Sequence, residues 1–389
     1  MTQTFDLWAD SGYFMTPKGH NIYFWGFNDS ADVSPQLPGP TLIFSETNEI
    51  IINLHNNLPE NVSLLFPGQE NVQYKKPDDT WESVQPQFSG IDLISLTNYA
   101  PPGATITYRF TATNPGTFLY ESGTNPQKQV HMGLYGSIVV RPHDFNTVKT
   151  AYGQNTGTDF DREYLITVAE IDPVLHKSVE KGEPYNIKDY KPRYWVLNGR
   201  CAPDTMLKNG LSSLPSQPYS GMIMMEPGEK VLVRYIDAGI ENHPLHLHAN
   251  HTRLVGLDGR ILRNGSTDLS YKRFTILMGS GQTYDMIFEW DGLGYTPGNP
   301  IPTLLPSIRN LGIGEPGWTM WSGSPYLGEK KDIPVGVVSY NEMGEYHFML
   351  HSHEEPQITN WGEFPGGMMS MLMIHPPGTL SPDTGVIRR

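Results

Sequence analysis

The chain has 389 residues, of which 27 are Lys or Arg and 41 are Asp or Glu, so its formal net charge at pH 7 is −14. This acidity argues against a nucleic-acid-binding face or a dock on an anionic membrane, because both need clustered Lys and Arg. The 39 Gly and 33 Pro residues, with only 17% charged residues, indicate an all-β chain with many turns rather than disorder or a helical bundle.

A single cysteine, Cys201, limits the covalent and metal chemistry of the chain. It excludes an internal disulfide, a thiolate zinc cage and an iron–sulfur cluster held by this chain alone. No run of 18 apolar residues occurs, so we expect no membrane span. The first 14 residues lack the basic and apolar regions of a signal peptide, so we expect either a cytoplasmic protein or an exported one whose leader has been removed.

Short apolar or alternating runs recur along the chain, each bounded by Gly, Pro, Asn, Asp or other polar residues. Such runs are typical of β-strands, and they predict strands within residues 49–56, 105–113, 116–121, 136–141, 164–172, 230–237 and 284–291. The length and these strands predict a first domain over residues 1–145, a polar linker over 146–160 and a second domain over 161–389. The second domain contains a Pro- and Gly-rich insertion at about 292–343.

The two predicted domains share a duplicated pattern. NVSLLFPG, from Asn61, follows the strand EIIINLH, and NHPLHLHA, from Asn242, follows the strand KVLVRYI. Further on, GTFLYESG, from Gly116, corresponds to GEYHFMLHSH, from Gly344, and a Gly-containing return strand follows each. Two β domains of common design therefore follow each other, and only the second is rich in histidine.

Two His-x-His pairs in the second domain carry the strongest chemical signal. His246 and His248 are two residues apart, as are His351 and His353. Because side chains alternate between the two faces of a strand, each pair directs both of its imidazoles the same way. If the duplicated strands pair within one domain, the four imidazoles converge, and neutral imidazole binds copper, zinc, iron and nickel. The alternative is a set of hydrogen-bonded histidines without a metal.

Two runs of methionine, over residues 222–225 and 368–373, raise the question of soft-metal capture. Because Met fills gaps in apolar cores, we interpret both runs as buried strands. We also interpret His347, four residues before the second His-x-His pair, as structural.

Three motifs, HPLHLH from His243, GLYGSIVV from Gly133 and HSHEEPQITNWGEFPGGMM from His351, resemble those of the multicopper oxidase family. The resemblance covers nearly the whole chain and implies an all-β fold of two tandem cupredoxin-like Greek-key β-barrels or sandwiches. In that family, such a domain supplies a type 1 copper through a His, a Cys, a second His and an axial Met. It also supplies half of a trinuclear copper cluster through two His-x-His pairs, and another domain supplies the other half.

Several positions depart from the family's pattern. Ser352 stands where the family has its thiolate, and Gln357 stands where it has the second type 1 histidine, while His243 and Met368 remain as relics or supporting residues. In the first domain, the positions that correspond to the histidines of the cluster hold Leu65, Pro67, Glu121 and Gly123. We therefore expect neither a blue copper–thiolate centre nor laccase activity.

The two complete His-x-His pairs lead to a functional hypothesis. We expect them to hold one copper ion, or two, with open positions for water, dioxygen or a substrate donor; zinc or iron is less expected. The chemistry is then the oxidation of a small molecule, with O2 as a candidate oxidant. Two other interpretations stay open: an inactive scaffold that binds a partner, and copper binding or storage without turnover.

Residues near the pairs receive secondary roles. Glu121, at a former ligand position, is a candidate ligand or a base beside a metal-bound water. Glu354 and Glu355 are candidates for orienting the imidazoles, or else form a polar turn. His131 resembles the second type 1 histidine of copper nitrite reductases, a sister family, and we expect it to be a relic because the partner positions of that site are lost. Two-domain relatives are often trimers, so the resemblance makes a homotrimer an expectation.

Overall fold

β-Strands form the layers of the molecule, and in several of them buried and partly exposed residues alternate. The computed structural model describes residues 1–248, 250–290, 346–375 and 377–387, and these form two β-sandwiches that follow each other along the chain. Burial alternates strictly in Glu49–Asn56, as expected for a strand with one face on a core. The predicted all-β fold is confirmed, and the predicted insertion at about 292–343 lies outside the described residues.

The first sandwich contains two main sheets. Its elements are β1 (Thr2–Met15), β2 (Asn21–Asn28), β3 (Gly39–Ser45), β4 (Glu49–Asn56), β5 (Gln73–Lys75), β6 (Trp81–Ser83), β7 (Gln87–Ser89), β8 (Asp92–Ser95), β9 (Thr105–Thr111), β10 (Gly116–Glu121), α1 (Pro126–Gln129) and β11 (Tyr135–Arg141). The larger sheet has the strand order β2-β1-β4-β9-β5-β6, the smaller sheet has the order β10-β11-β3, and β7 and β8 form a separate hairpin.

The second sandwich has the same two-sheet plan. Its elements are β12 (Arg162–Ile171), α2 (Pro173–Lys181), β13 (Tyr194–Leu197), β14 (Ile223–Met225), β15 (Lys230–Asp237), β16 (His243–Leu247), β17 (Thr252–Leu257), β18 (Arg260–Ile261), β19 (Arg263–Asn264), β20 (Thr267–Asp268), β21 (Tyr271–Arg273), β22 (Thr275–Met278), β23 (Thr283–Glu289), β24 (Tyr346–Ser352) and β25 (Met369–Ile374), with 3-10 turns at Ile187–Asp189, Asp204–Met206 and Glu355–Ile358. One sheet has the order β13-β12-β15-β23-β17-β18, and the other has the order β14-β25-β24-β16-β22. Helix α2 has nine residues, and no helix in the described part of the chain is long and apolar enough to cross a membrane.

The two sandwiches repeat the same strand connections, in agreement with the duplicated sequence pattern. β1 pairs in parallel with β4, which pairs antiparallel with β9, and β12, β15 and β23 repeat this arrangement. β10, β11 and β3 correspond to β24, β25 and β14. Where the second sandwich pairs β16 with β24, the first sandwich has a single isolated β-bridge between Leu65 and Glu121. This bridge therefore marks the position that corresponds to the His246–His351 pair.

Buried ion pairs join the two sandwiches. Glu163 accepts hydrogen bonds from Arg141 of the first sandwich and from Arg234 of the second. Arg234 also donates to Asp285 at 3.0 Å, and such pairing offsets the cost of burying each charge. Tyr152, within the predicted linker, donates to Asp285 as well. The linker segment therefore packs on the second sandwich instead of standing free.

Candidate metal centre

The two His-x-His pairs lie together on the outer face of the smaller sheet of the second sandwich. β16 pairs antiparallel with β24, and His246 lies opposite His351. Leu245, Leu247 and Leu350, at the alternating positions, are buried on the inner face. Their burial fixes the register of the two strands, since a slip of one residue would exchange the faces. The imidazoles consequently point away from the core.

Three of the imidazoles are close enough to share one metal ion. One ring nitrogen each of His246, His248 and His351 lies within 4.8 Å of the other two, and the Nε2 atoms of His248 and His351 are 3.1 Å apart. The ring centroid of His353 is 5.1 Å from that of His246 and 5.7 Å from that of His351. The structure thus brings all four histidines into one cluster, with His353 on its exposed side.

Hydrogen bonds fix the direction of two of the rings. His351 Nδ1 donates to the main-chain oxygen of Ser352 at 2.8 Å, so its Nε2 carries a lone pair when the ring is neutral. His246 Nδ1 lies 2.7 Å from Thr275 Oγ1 on the neighbouring strand β22. Bonds of this kind to a carbonyl or hydroxyl group orient imidazoles that bind metals.

The surroundings of three of these rings, those of His246, His248 and His351, keep them uncharged. Burial, followed by the charges of His248, His351 and His353, lowers the pKa of His246 to about 4. Burial also lowers the pKa of His248 and of His351. The unprotonated imidazole, which is the form that binds metals, therefore predominates in these three residues at neutral pH.

His243, three residues before His246 on the same strand, has the opposite surroundings. It is completely buried, its Nε2 lies 3.1 Å from Glu170 Oε2, and its Nδ1 lies 3.0 Å from Gln357 Oε1. Because both partners are acceptors, both ring nitrogens donate and the ring is an imidazolium. Burial disfavours this charge, but the bond to Glu170 and the charge of Asp237 raise the pKa of His243 to about 9.

Hydrogen bonds join the residues that the resemblance places at the type 1 positions. Ser352 Oγ donates to Gln357 Oε1 at 2.6 Å. The Ser352 N–H donates to the Met368 oxygen at 3.0 Å, and the Met368 N–H donates to the Gln357 oxygen at 2.8 Å. Both nitrogens of His243 are protonated, so this pocket holds an imidazolium paired with the carboxylate of Glu170. A copper–thiolate site would need an imidazole lone pair and a thiolate at these positions.

The remaining candidates have other partners. Glu354 accepts a hydrogen bond from Gln357 at 3.1 Å, and Glu355 begins a 3-10 turn. In the described residues, neither carboxylate hydrogen-bonds an imidazole of the cluster, so their orienting role stays a prediction. The ring of His131 packs at 5.2 Å from that of Tyr190, and burial lowers the pKa of His131.

Glu121 occupies in the first sandwich the place that His351 occupies in the second. The Leu65 N–H donates to the Glu121 oxygen at 2.8 Å, which is the bridge equivalent to the pairing of β16 with β24. Burial raises the pKa of Glu121 to about 7. Across the described ranges, its carboxyl forms no hydrogen bond or ion pair with the four histidines of the same chain. A role at the metal therefore stays a prediction.

Sequence reasoning did not identify two residues that shape these surroundings. Thr275 lies in the run RFTILM, from Arg273 to Met278, whose alternation is typical of a strand but does not indicate its neighbour. Glu170 gave no signal, because its contact with His243 depends on how distant strands pack. Both depend on tertiary contacts.

Comparisons with known proteins agree with the fold. Residues 16–144 match the family model for multicopper oxidases. The chain is 25% identical over 281 residues to laccase-2 of Botryotinia fuckeliana, covering 71% of this chain and 41% of that protein. It is 28% identical over 356 residues to L-ascorbate oxidase of Cucurbita maxima, covering 85% of this chain and 51% of that protein. The chain thus spans about half, or less, of these relatives.

A solved structure extends the match over the whole chain. The blue copper oxidase from Nitrosomonas europaea has a TM-score of 0.64 with this structure and 18% sequence identity, covering 99% of this chain and 93% of that one. At this identity the likeness concerns the fold alone, and it confirms the expected cupredoxin-like architecture.

Proposed function

Since this chain belongs to the multicopper oxidase family, we propose that its four-histidine cluster binds copper and oxidises a small molecule there. The observation that carries the proposal is the set of three ring nitrogens within 4.8 Å of one another, contributed by His246, His248 and His351. These three nitrogens suit one copper ion. A second ion would need His353, on the exposed side, among its donors.

The donor set fits copper. Neutral imidazoles bind it well, and among divalent first-row metals copper binds most tightly to such nitrogen donors; zinc and iron are the competing ions. When bound, copper supplies one-electron redox chemistry and a Lewis-acid position for a substrate donor or O2. The Ser352 oxygen directs His351 Nε2 toward the cluster, and Thr275 holds His246, so these two rings are oriented by the chain itself.

An apolar surface beside the cluster supports a small organic substrate. The ring of Phe274 stands at 89° to that of His246, with the centroids 5.5 Å apart. Phe274 is 52% exposed and Leu277, on the adjoining strand, is 61% exposed. Because the apolar part of a substrate gains free energy by leaving water, these two side chains favour its binding next to the imidazoles.

We propose that the site operates without a blue copper centre. His243 is protonated and bonded to Glu170 and Gln357, and Ser352 replaces the thiolate. Both features support the loss of type 1 copper. If copper were bound there, His246, His248, His351 and His353 would hold the ion that accepts the electron of the substrate, with no separate electron-entry copper in the chain.

We further propose that Glu121 acts across a subunit boundary, in a homotrimer. Its position equivalent to His351 and its pKa of about 7 support a role in ligation or proton transfer at the cluster of a second copy. Sedimentation should give a trimer, and Glu121→Gln should lower the copper affinity of that trimer. A monomer that binds copper equally well with either residue would contradict this part of the proposal.

Elemental analysis of the purified protein, before and after copper loading and desalting, tests the main proposal. We compare the wild type with His246→Ala/His351→Ala, which removes two facing donors. The matched control is His55→Ala/His143→Ala, which removes two first-domain imidazoles paired with Asp6 and Glu46. We expect about one copper per chain in the wild type and control, none in the cluster variant and no intense blue band.

The same samples separate the alternatives. Oxygen uptake with small-molecule reductants should depend on copper and on the cluster. Copper that is retained without oxygen uptake would support binding or storage without turnover. A chain that retains no copper after loading would contradict the proposal and support the scaffold interpretation.

A further inference from the structure

Methionine side chains continue the outer face that carries the histidine cluster. The expectation that both methionine runs are buried is correct for Met225 and Met368 but wrong for the alternating positions, which are partly exposed. The methionines that lie partly exposed on the outer face of β14, β24 and β25 are Met224, Met349, Met369, Met371 and Met373. We call three of them the methionine patch: Met349 on β24 and Met369 and Met371 on β25, which share one face of two neighbouring strands.

The register places the methionine patch directly against the histidines. Met349 lies opposite Met371, and Met369 lies opposite His351. On the other side, the His248 N–H donates to the Met349 oxygen at 2.9 Å. Directly opposed residues of antiparallel strands have Cα atoms about 4.5 to 5.5 Å apart, so flexible side chains at these positions can bring their sulfur atoms together.

The chemistry of these groups points to one class of ligand. A thioether is uncharged and polarisable, and it selects soft ions such as Cu(I) over hard ions. A strand buried on both faces would hide such side chains, whereas these are partly exposed and lie on the same face as the histidine cluster. We propose that the methionine patch binds a soft monovalent metal ion, Cu(I) in the cell, at a site separate from the histidine cluster. This proposal does not require the histidines to hold Cu(II) or to support turnover.

Titration with Ag(I), which shares the charge and softness of Cu(I) and does not change oxidation state with oxygen, tests the site. Protein labelled with 13C at the methionine methyl groups is titrated and observed by NMR, and affinity is measured by calorimetry. The test variant is Met349→Leu/Met369→Leu/Met371→Leu. The matched control is Met225→Leu/Met278→Leu/Met286→Leu, which changes three buried methionines of the same sandwich and nearly conserves their volume.

We expect Ag(I) to shift the methyl signals of the methionine patch in the wild type, in the control and in His246→Ala/His351→Ala. We expect the test variant, with unchanged circular dichroism, to lose Ag(I) affinity by at least about 10-fold, the lower end of the loss caused by altering groups around a bound metal. Affinity equal to the wild type in the test variant would overturn the proposal. Loss of binding in the histidine variant alone would also overturn it, because the imidazoles would then be the ligands.

Discussion

The substitution Glu121→Gln tests how a buried carboxyl affects the stability of the first sandwich. Glu121 ends β10 opposite Tyr135 and forms the bridge with Leu65, and burial raises its pKa from 4.5 to about 7. At pH below about 4.5, both the folded and the unfolded chain hold this proton, so the carboxyl has no pH-dependent effect. Between about 4.5 and about 7 the unfolded chain ionises first, and the free energy of unfolding falls as the pH rises; above about 7 the loss is constant.

The size of the effect follows from the same values. A rise in the pKa from 4.5 to about 7 corresponds to about 3 kcal/mol, and contact of the side chain with solvent reduces this to about 2 kcal/mol. The test is guanidinium unfolding of the wild type and Glu121→Gln at about pH 4 and about pH 8. The free energy of unfolding of the variant, relative to that of the wild type, should be higher at about pH 8 than at about pH 4 by about 2 kcal/mol. Glu70→Gln, at an exposed glutamate, is the control and should gain nothing. An equal difference at both pH values would refute this account, because it would mean that folding does not raise the pKa of Glu121.

Two further predictions concern buried groups. Arg234→Met should lower the free energy of unfolding by about 3 to 5 kcal/mol, because it leaves the carboxylates of Glu163 and Asp285 buried without this partner. Lys230→Met, at an exposed ion pair, should cost about 1 kcal/mol or less in the same assay, and equal losses would contradict the argument. Burial raises the pKa of the Cys201 thiol, so a thiol reagent should label this residue only in denaturant; rapid labelling of the native protein would show that the residue is accessible.

Local periodicity in the sequence was sufficient to predict the all-β class and the shared face within each His-x-His pair, whereas the cupredoxin-like architecture was expected from the resemblance to the multicopper oxidase family. Alternating runs place His246 and His248 on one face of a strand, as they do His351 and His353. The duplicated pattern indicates that the two strands are equivalent in the two domains. The pairing itself, with His246 opposite His351, joins residues more than a hundred positions apart, and periodicity alone does not select it.

The methionine runs show where the same reasoning failed. Residues 369–374 alternate between partly exposed and buried, so every second side chain of this run faces outward. The outward-facing side chains are methionines, which are apolar like most of the buried ones, so hydropathy does not distinguish the two faces. Composition therefore predicted a core strand, and the exposed side of the strand was missed. A residue type that serves both cores and soft-metal sites does not reveal its role until the register with its neighbours is known.

The difference between His243 and His246 explains why copper is expected on only one face of β16. The two rings are three residues apart, so the alternation of the strand sends them to opposite faces. On the inner face, Glu170 and Asp237 raise the pKa of His243 to about 9, and the imidazolium has no lone pair for a metal. On the outer face, burial and the neighbouring histidines lower the pKa of His246 to about 4, which leaves its lone pair available. One strand therefore holds a charged histidine that stabilises the fold and a neutral histidine that can bind a metal, and the environment of each face determines which is which.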